Sequence, residues 1–259
     1  MVAGMAHTAD GSSSTTYGDV SISWPGYATI RIEHDDTIVY LDPGRVDYGV
    51  LTNSQPEDAD YVLVSHTHHY DPAAIHRVST PETVVYVLED VVELNNLSNR
   101  SKSDLVPPLD LEETTEVFAY EDTFAADHIG VETVPSYNLP SPQGLNITPE
   151  GDGLQPPGTC VGFILDIDGT RFFWPSDSDV VPEHDGLDVD VFFPPLSQIV
   201  TMNRHEAADL AETLQPELVI PVHYCWGEKT PDGPFFLNGD PSAFKADVEA
   251  RGLRCEVLQ

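Results

Sequence analysis

The sequence predicts an α+β protein, a four-layer αββα sandwich in which helices flank two packed sheets. Two observations predict it. Strand-patterned runs come first as a meander and then with helices interspersed, and this order occurs twice along the 259 residues. Two sheets can each bury one face against the other and leave the outer faces to helices. In addition, three apolar strand-like runs end in residues of metal-binding type, so one edge of the sandwich can collect them.

The elements follow in order. Asp19–Trp24 and Tyr27–Glu33 alternate apolar and polar residues around the turn signal Pro25-Gly26. Thr37–Leu41 is a short strand ending at Asp42-Pro43-Gly44, and Tyr61–Ser65 is a buried one. Asp71-Pro72 reads as an N-cap followed by proline at the first helical position, with Ala73–Val78 as the helix. Thr83–Leu88 is a strand and Glu89–Asn96 a helix; residues 97–114 are a polar, proline-containing connection. Thr115–Tyr120, Thr123–Ala126 and Gly130–Pro135 are successive strands, followed by a Pro- and Gly-rich loop to Thr159 of a length that usually serves function. Cys160–Ile167 and Thr170–Trp174 form a hairpin around Asp168-Gly169. Val189–Phe193 and Leu218–Val222 are strands, separated by a helix His205–Leu214 that Asn203 and Glu206 open as a capping box. After a second Gly/Pro loop at 227–239, Ser242–Arg251 is a helix and Cys255–Leu258 a strand. Residues 1–18 are expected to be an unstructured lead-in to one domain spanning 19–259.

Composition excludes several classes. Lys+Arg number 11 against 44 Asp+Glu, a formal net charge of -33 with 40% hydrophobic residues. The chain is therefore foldable, and its acidity is spread along the whole length. Such a surface repels itself unless counterions screen it, so we read the charge as adaptation to a salt-rich cytoplasm. It argues against nucleic acid and anionic membranes, which need clustered cations. A small-molecule substrate remains, and the oligomeric state is open. Cys160, Cys225 and Cys255 are too few and too scattered for a disulfide framework or a cysteine zinc site.

The chemistry gathers where the strand Tyr61–Ser65 stops, at His66-Thr67-His68-His69-Tyr70-Asp71. Neutral imidazoles two residues apart on one loop can converge on a cation. Further metal-type side chains stand at the strand ends Asp177/Asp179 and His223. Asp71 suits a ligand or base and equally the helix N-cap. His184 reads as a surface loop residue, and His34, His76 and His205 as structural or solvated.

Trp24-Pro25-Gly26-Tyr27-Ala28-Thr29, Leu41-Asp42-Pro43, Ser65-His66-Thr67-His68, Val134-Pro135-Ser136-Tyr137-Asn138, Ser176-Asp177-Ser178-Asp179, Glu206-Ala207-Ala208 and Ile220-Pro221-Val222-His223-Tyr224 together resemble the metallo-β-lactamase-fold hydrolases, in a branch similar to ascorbate-6-phosphate lactonase. The resemblance implies the αββα sandwich, one or two Zn2+ or Mn2+ ions at the sheet edge, and hydrolysis of a lactone, small ester or phosphoester by a metal-held hydroxide. It implies His66 and His68 on one metal, Asp177 bridging or completing a site, His223 on a second, and Asp42 orienting a ligand. His69 or Asp71 supplies a further ligand, Asp71 is the candidate catalytic base, and Tyr137 and Asn138 are the candidate substrate contacts. The sequence departs from the family pattern His-x-His-x-Asp-His. Tyr70 and Asp71 occupy the fifth and sixth places, or His69 takes the sixth after a two-residue deletion. Ser136, Tyr137 or Asn138 stands where a third histidine is usual, and Tyr27 replaces another. The alternative reading is a relative that keeps the fold and binds a ligand or metal without hydrolysis.

Overall fold

The computed structural model describes residues 14–44, 57–96, 115–139, 155–197, 201–224 and 240–258. The expected loops at 140–154 and 227–239, the connection 97–114 and Cys225 lie outside them.

The first sheet contains β1 (Ser14–Tyr17), β2 (Val20–Gly26), β3 (Thr29–His34), β4 (Thr37–Leu41), β5 (Ala59–Val64), β6 (Ser79–Leu88) and β7 (Thr115–Phe118), in that spatial order. Strands β1 to β4 pair antiparallel through short turns, while β5, β6 and β7 add in parallel. Parallel addition needs a crossover, supplied between β5 and β6 by helix α1 (Pro72–Val78) and between β6 and β7 by α2 (Glu89–Asn96), both of which pack on β6.

The second sheet repeats the plan. Strands β8 (Thr123–Ala126), β9 (Ile129–Ser136), β10 (Cys160–Ile167) and β11 (Thr170–Trp174) are antiparallel. The short strands β12 (Val191–Phe192) and β13 (Leu218–Val219) then add in parallel. Helix α3 (Arg204–Leu214) connects them and packs against α4 (Pro241–Glu249). Aromatic contacts join the sheets: Phe118 meets Phe163 edge-on with ring centroids 5.6 Å apart, and Tyr86 stacks on Phe124 at 4.6 Å.

Local signals act as expected where they are strong. The Asn203 carboxamide accepts from the His205 and Glu206 backbone N–H groups while the Glu206 carboxylate accepts from the Asn203 N–H. Asp168 and Gly169 take positive φ of 51° and 84°, the twist a two-residue hairpin needs. Three expectations change. Ser14–Tyr17, within the supposed lead-in, is an edge strand because its backbone completes the ladder of β2. Cys255 makes only an isolated bridge to Val219 in place of a full strand. His184 is fully buried, with its ring edge against Phe173 and its Nε2–H donating to the Pro135 carbonyl at 3.1 Å.

Burial pushes the His184 imidazole down to about 4, partly opposed by its bond to Pro135. A folded value below the ordinary 6.5 means the unfolded chain takes the proton first. The contribution is complete above about pH 6.5 and is lost as pH falls toward 4. Urea unfolding at pH 7 and pH 4.5 should therefore show an acid loss smaller by about 2 kcal/mol in His184→Gln than in the parent. Equal pH dependence in both proteins would contradict it.

Candidate metal centre

One edge of the sandwich carries the site, at the carboxyl ends of β4, β5, β9, β11 and β13. Strand ends suit chemistry because the last side chains leave the ladder while the backbone behind them stays fixed. His66 follows β5 and forms an isolated antiparallel bridge with Cys160 at the start of β10, which ties the two sheets together there.

Four buried side chains converge. His66 Nε2 lies 3.5 Å from Asp177 Oδ2; His69 Nε2 and His223 Nε2 lie 3.4 and 3.3 Å from Asp177 Oδ1. Ligand atoms of His66, His69 and Asp177 fall within 4.8 Å of one another. The three Nε2 atoms and Asp177 Oδ1 are buried without a hydrogen-bond partner. Each orphaned buried polar atom costs about 1–3 kcal/mol, so a fold that converges four of them is not optimised for itself alone. Nitrogen and oxygen ligands about 3.3–3.4 Å apart match one edge of a tetrahedron with metal bonds of 2.0–2.1 Å. The donor set of three imidazoles and a carboxylate therefore fits a cation such as Zn2+ or Mn2+.

Asp42 holds this arrangement from behind. Its backbone takes φ 46° at the end of β4, and its side chain is fully buried. Oδ1 accepts from the Ser65 N–H at 2.7 Å. Oδ2 accepts from Ser65 Oγ at 2.7 Å, His69 Nδ1 at 2.9 Å and Trp174 Nε1 at 2.8 Å. An ionised carboxylate can only accept, so Asp42 keeps a proton on His69 Nδ1 and leaves Nε2 as the nitrogen that faces Asp177 and would bind a cation. The Ser65 hydroxyl spends its proton on Asp42, so Ser65 Oγ accepts from His66 Nδ1 at 2.9 Å and from Ser176 Oγ at 2.6 Å. One carboxylate thus sets the tautomer of two imidazoles, one directly and one through a serine.

The charges of the four groups are coupled. Burial would raise Asp177, but the His69 and His223 imidazoles hold it well below the usual carboxylate range. Asp42 is lowered in the same way, burial being outweighed chiefly by His69. Burial would lower His69, yet Asp177 and Asp42 carry it up to about 9. Burial keeps His223 down at about 4 and also lowers His66, beside the His69 charge.

The structure separates the side chains of the loop. His69, not His68, joins His66 in the group. The His69 N–H bonds back to the His66 carbonyl at 3.2 Å, and this turn brings positions three apart to one side. His68 is turned outward, exposed, with its Nδ1 against the Gln155 carboxamide. Asp71 is also outside the group: its Oδ1 accepts from the Ala73 and Ala74 N–H groups at 3.1 Å each, the N-cap of α1.

The other expected residues surround the cluster. Asn138, buried at the end of β9, receives the Gln155 N–H on Oδ1 at 2.9 Å and donates from Nδ2 to the Asp177 carbonyl at 3.4 Å. The Tyr137 hydroxyl donates to Glu183 Oε2 at 2.9 Å. Asp179 accepts from the Leu139 N–H at 2.7 Å, and burial raises its carboxyl to about 6. Ser136 donates from Oγ to the Pro175 carbonyl at 2.7 Å. The Tyr27 ring walls one side, 4.5 Å from the His223 ring and 5.4 Å from His69. Gly162 lets β10 approach: a Cβ there would fall 2.8 Å from the Trp174 carbonyl oxygen.

A buried His/Asp centre on one edge of an αββα sandwich defines a class of metal-site proteins. Residues 21–223 match the family model described as "Beta-lactamase superfamily domain", and the chain belongs to that superfamily. A UPF0173 metal-dependent hydrolase from Methanopyrus kandleri is 27% identical over 244 residues, covering 92% of this chain and 95% of the relative. Two solved structures, among others, share the fold. A protein of Parabacteroides distasonis has TM-score 0.67 and 24% identity over 93% of this chain and 94% of that one. Igni18, a metallo hydrolase of Ignicoccus hospitalis, has TM-score 0.65 and 19% identity over 93% and 95%.

Proposed function

We propose that the chain is a metal-dependent hydrolase that holds one Zn2+ or Mn2+ ion on His66, His69, Asp177 and His223 and cleaves a small ester, lactone or phosphoester. The observation that carries this reading is the convergence of four buried ligand atoms without hydrogen-bond partners on one another. Such an ion, when bound, acidifies a coordinated water and polarises the oxygen of the scissile carbonyl or phosphoryl group.

The chain's own residues have separate tasks. Asp42 and Ser65 keep both loop imidazoles aimed with lone pairs inward. Asn138 grips the Asp177 carbonyl, so the carboxylate enters at a fixed angle. Tyr27 packs against the His69 and His223 rings, and Trp174 holds the Asp42 carboxylate behind them. Tyr137, beside Asn138 and partly exposed, is the residue placed to meet substrate. Asp71 serves as a helix cap in this reading, and no step is assigned to it. The name of the Methanopyrus kandleri relative supports the hydrolytic class. The lactone class and the salt-rich setting come from the sequence patterns alone. The net charge of -33 favours small, neutral or cationic substrates over polyanions.

The test is hydrolysis of a lactone, an ester and a phosphodiester by the purified protein, with and without added Zn2+ or Mn2+ and after chelation. Turnover of one class that chelation abolishes and metal restores is expected. Full metal content with no turnover of any of the three would establish instead the ligand- or metal-binding relative, which the missing third histidine, at Ser136, Tyr137 or Asn138, and the displaced aspartate favour.

A further inference from the structure

Eight non-glycine residues among those described have a left-handed backbone. Asp35, Asp127 and Asp168 stand in two-residue hairpin turns, and Gln215 ends α3, where that conformation is usual. The other four, Tyr27, Asp42, Ser176 and His223, all stand at the metal centre. Strain of this kind persists only where the surroundings enforce it, and it collects at functional sites. Asp42 and His223 present their side chains to the centre, and Tyr27 packs on two of its rings. Ser176 is no ligand, yet it is fully buried at φ 58°, two residues past β11 and one before Asp177.

That conformation acts on the centre through backbone and side chain alike. The Ser178 N–H bonds to the Ser176 carbonyl at 2.9 Å, closing a three-residue γ-turn with Asp177 in the middle. Ser176 therefore bends the chain away from β11, and the turn presents Asp177 at its apex to His66, His69 and His223. In the same pose Ser176 Oγ reaches Ser65 Oγ at 2.6 Å and lies 3.4 Å from His66 Nδ1. The buried Cys160 thiol donates to Ser176 Oγ at 3.6 Å. The Ser176 proton then goes to Ser65, the Ser65 proton to Asp42, and the His66 Nδ1–H to Ser65. Thiol and hydroxyls thus point their protons one way, along a line that ends on the Asp42 carboxylate. Glycine adopts this φ freely, so the fold alone favours glycine at this position. The hydroxyl is what serine adds.

We propose that Ser176 is a positioning residue for the metal centre: its left-handed backbone turns Asp177 inward, and its hydroxyl keeps Ser65, and through it His66, in the ligating orientation. The inference rests on the metal-centre reading and concerns a residue outside the ligand set.

The experiment compares the parent with Ser176→Gly, Ser176→Ala and Asp35→Gly by urea unfolding of the metal-free protein and by Zn2+ affinity in chelator competition. Both Ser176 variants lose the hydroxyl, but only alanine keeps the strain, so metal-free Ser176→Gly should unfold at higher urea than Ser176→Ala. Both should bind Zn2+ about tenfold more weakly than the parent, or worse. Should Ser176→Ala fail to fold, Ser176→Gly decides the affinity alone. A purely structural serine would let affinity follow stability; here the better-folded variant still loses metal. Asp35→Gly makes the same backbone change on an exposed turn, at φ 51°, and should keep parental affinity. Parental affinity in Ser176→Gly, an equal loss in Asp35→Gly, or a Ser176→Gly weaker to urea than Ser176→Ala would overturn the inference while the parent's own metal binding stands. A parent that binds no Zn2+ would remove the centre itself, and this inference with it.

Discussion

Asp177→Ala is expected to empty the centre and lower kcat/KM by about 10^3-fold or more, a loss of about 4 kcal/mol of transition-state stabilisation. The size follows from position. Three imidazole nitrogens stand 3.3–3.5 Å from this one carboxylate, and among the described residues it is the one anion in the group with them. Asp177→Asn separates charge from shape: the amide fills the same volume but brings an N–H into the space meant for a cation. Both variants should lose metal, and their far-UV circular dichroism should stay that of the parent. Metal retained at parental level in Asp177→Asn would show that the carboxylate is not a ligand.

Asp42→Asn should do harm of a different kind. Asp42 accepts from four donors, the Ser65 N–H, Ser65 Oγ, His69 Nδ1 and Trp174 Nε1, and is fully buried. An asparagine can present its oxygen to only one side. Its NH2 must then face either the Ser65 N–H or the three donors on Oδ2, and a buried donor meets a donor. Breaking a buried charged network of this kind costs about 3–5 kcal/mol. The misdirected imidazoles should also cut metal affinity about 10–100-fold. Denaturant unfolding and a metal-competition titration measure the two effects. A loss of stability with unchanged metal affinity would mean that Asp42 supports the fold but does not aim His69.

Much of the site was legible because its residues end strands. The apolar run Tyr61–Ser65, the hairpin at Asp168-Gly169 and the lone His223 after Leu218–Val222 place the three segments that carry the four converging side chains, and Asp42 reads as orienting a ligand. The choice between His68 and His69 was not legible. It depends on the His69 N–H closing a turn on His66, a hydrogen bond that spacing alone does not reveal. Ser65, Ser176 and Trp174 were missed as partners in the network. A tryptophan at the end of an apolar strand reads as core, and its bond to Asp42 spans 132 positions of sequence. Asp71 illustrates a double reading: the same Asp-Pro pair suits a base and a cap, and the Oδ1 contacts to the Ala73 and Ala74 N–H groups are those of a cap. His184 looked superficial beside Glu183, yet a one-turn helix, Pro182–His184, tucks its ring under Phe173.

Metal content per chain, measured by elemental analysis after exhaustive dialysis in the parent and in His66→Ala, His69→Ala, His223→Ala and His68→Ala, tests the central claim most directly. The tightly held ion should vanish or fall well below one equivalent in the first three variants and persist in His68→Ala. Loss of the ion with His68, or its retention without His69 and His223, would contradict the centre described here.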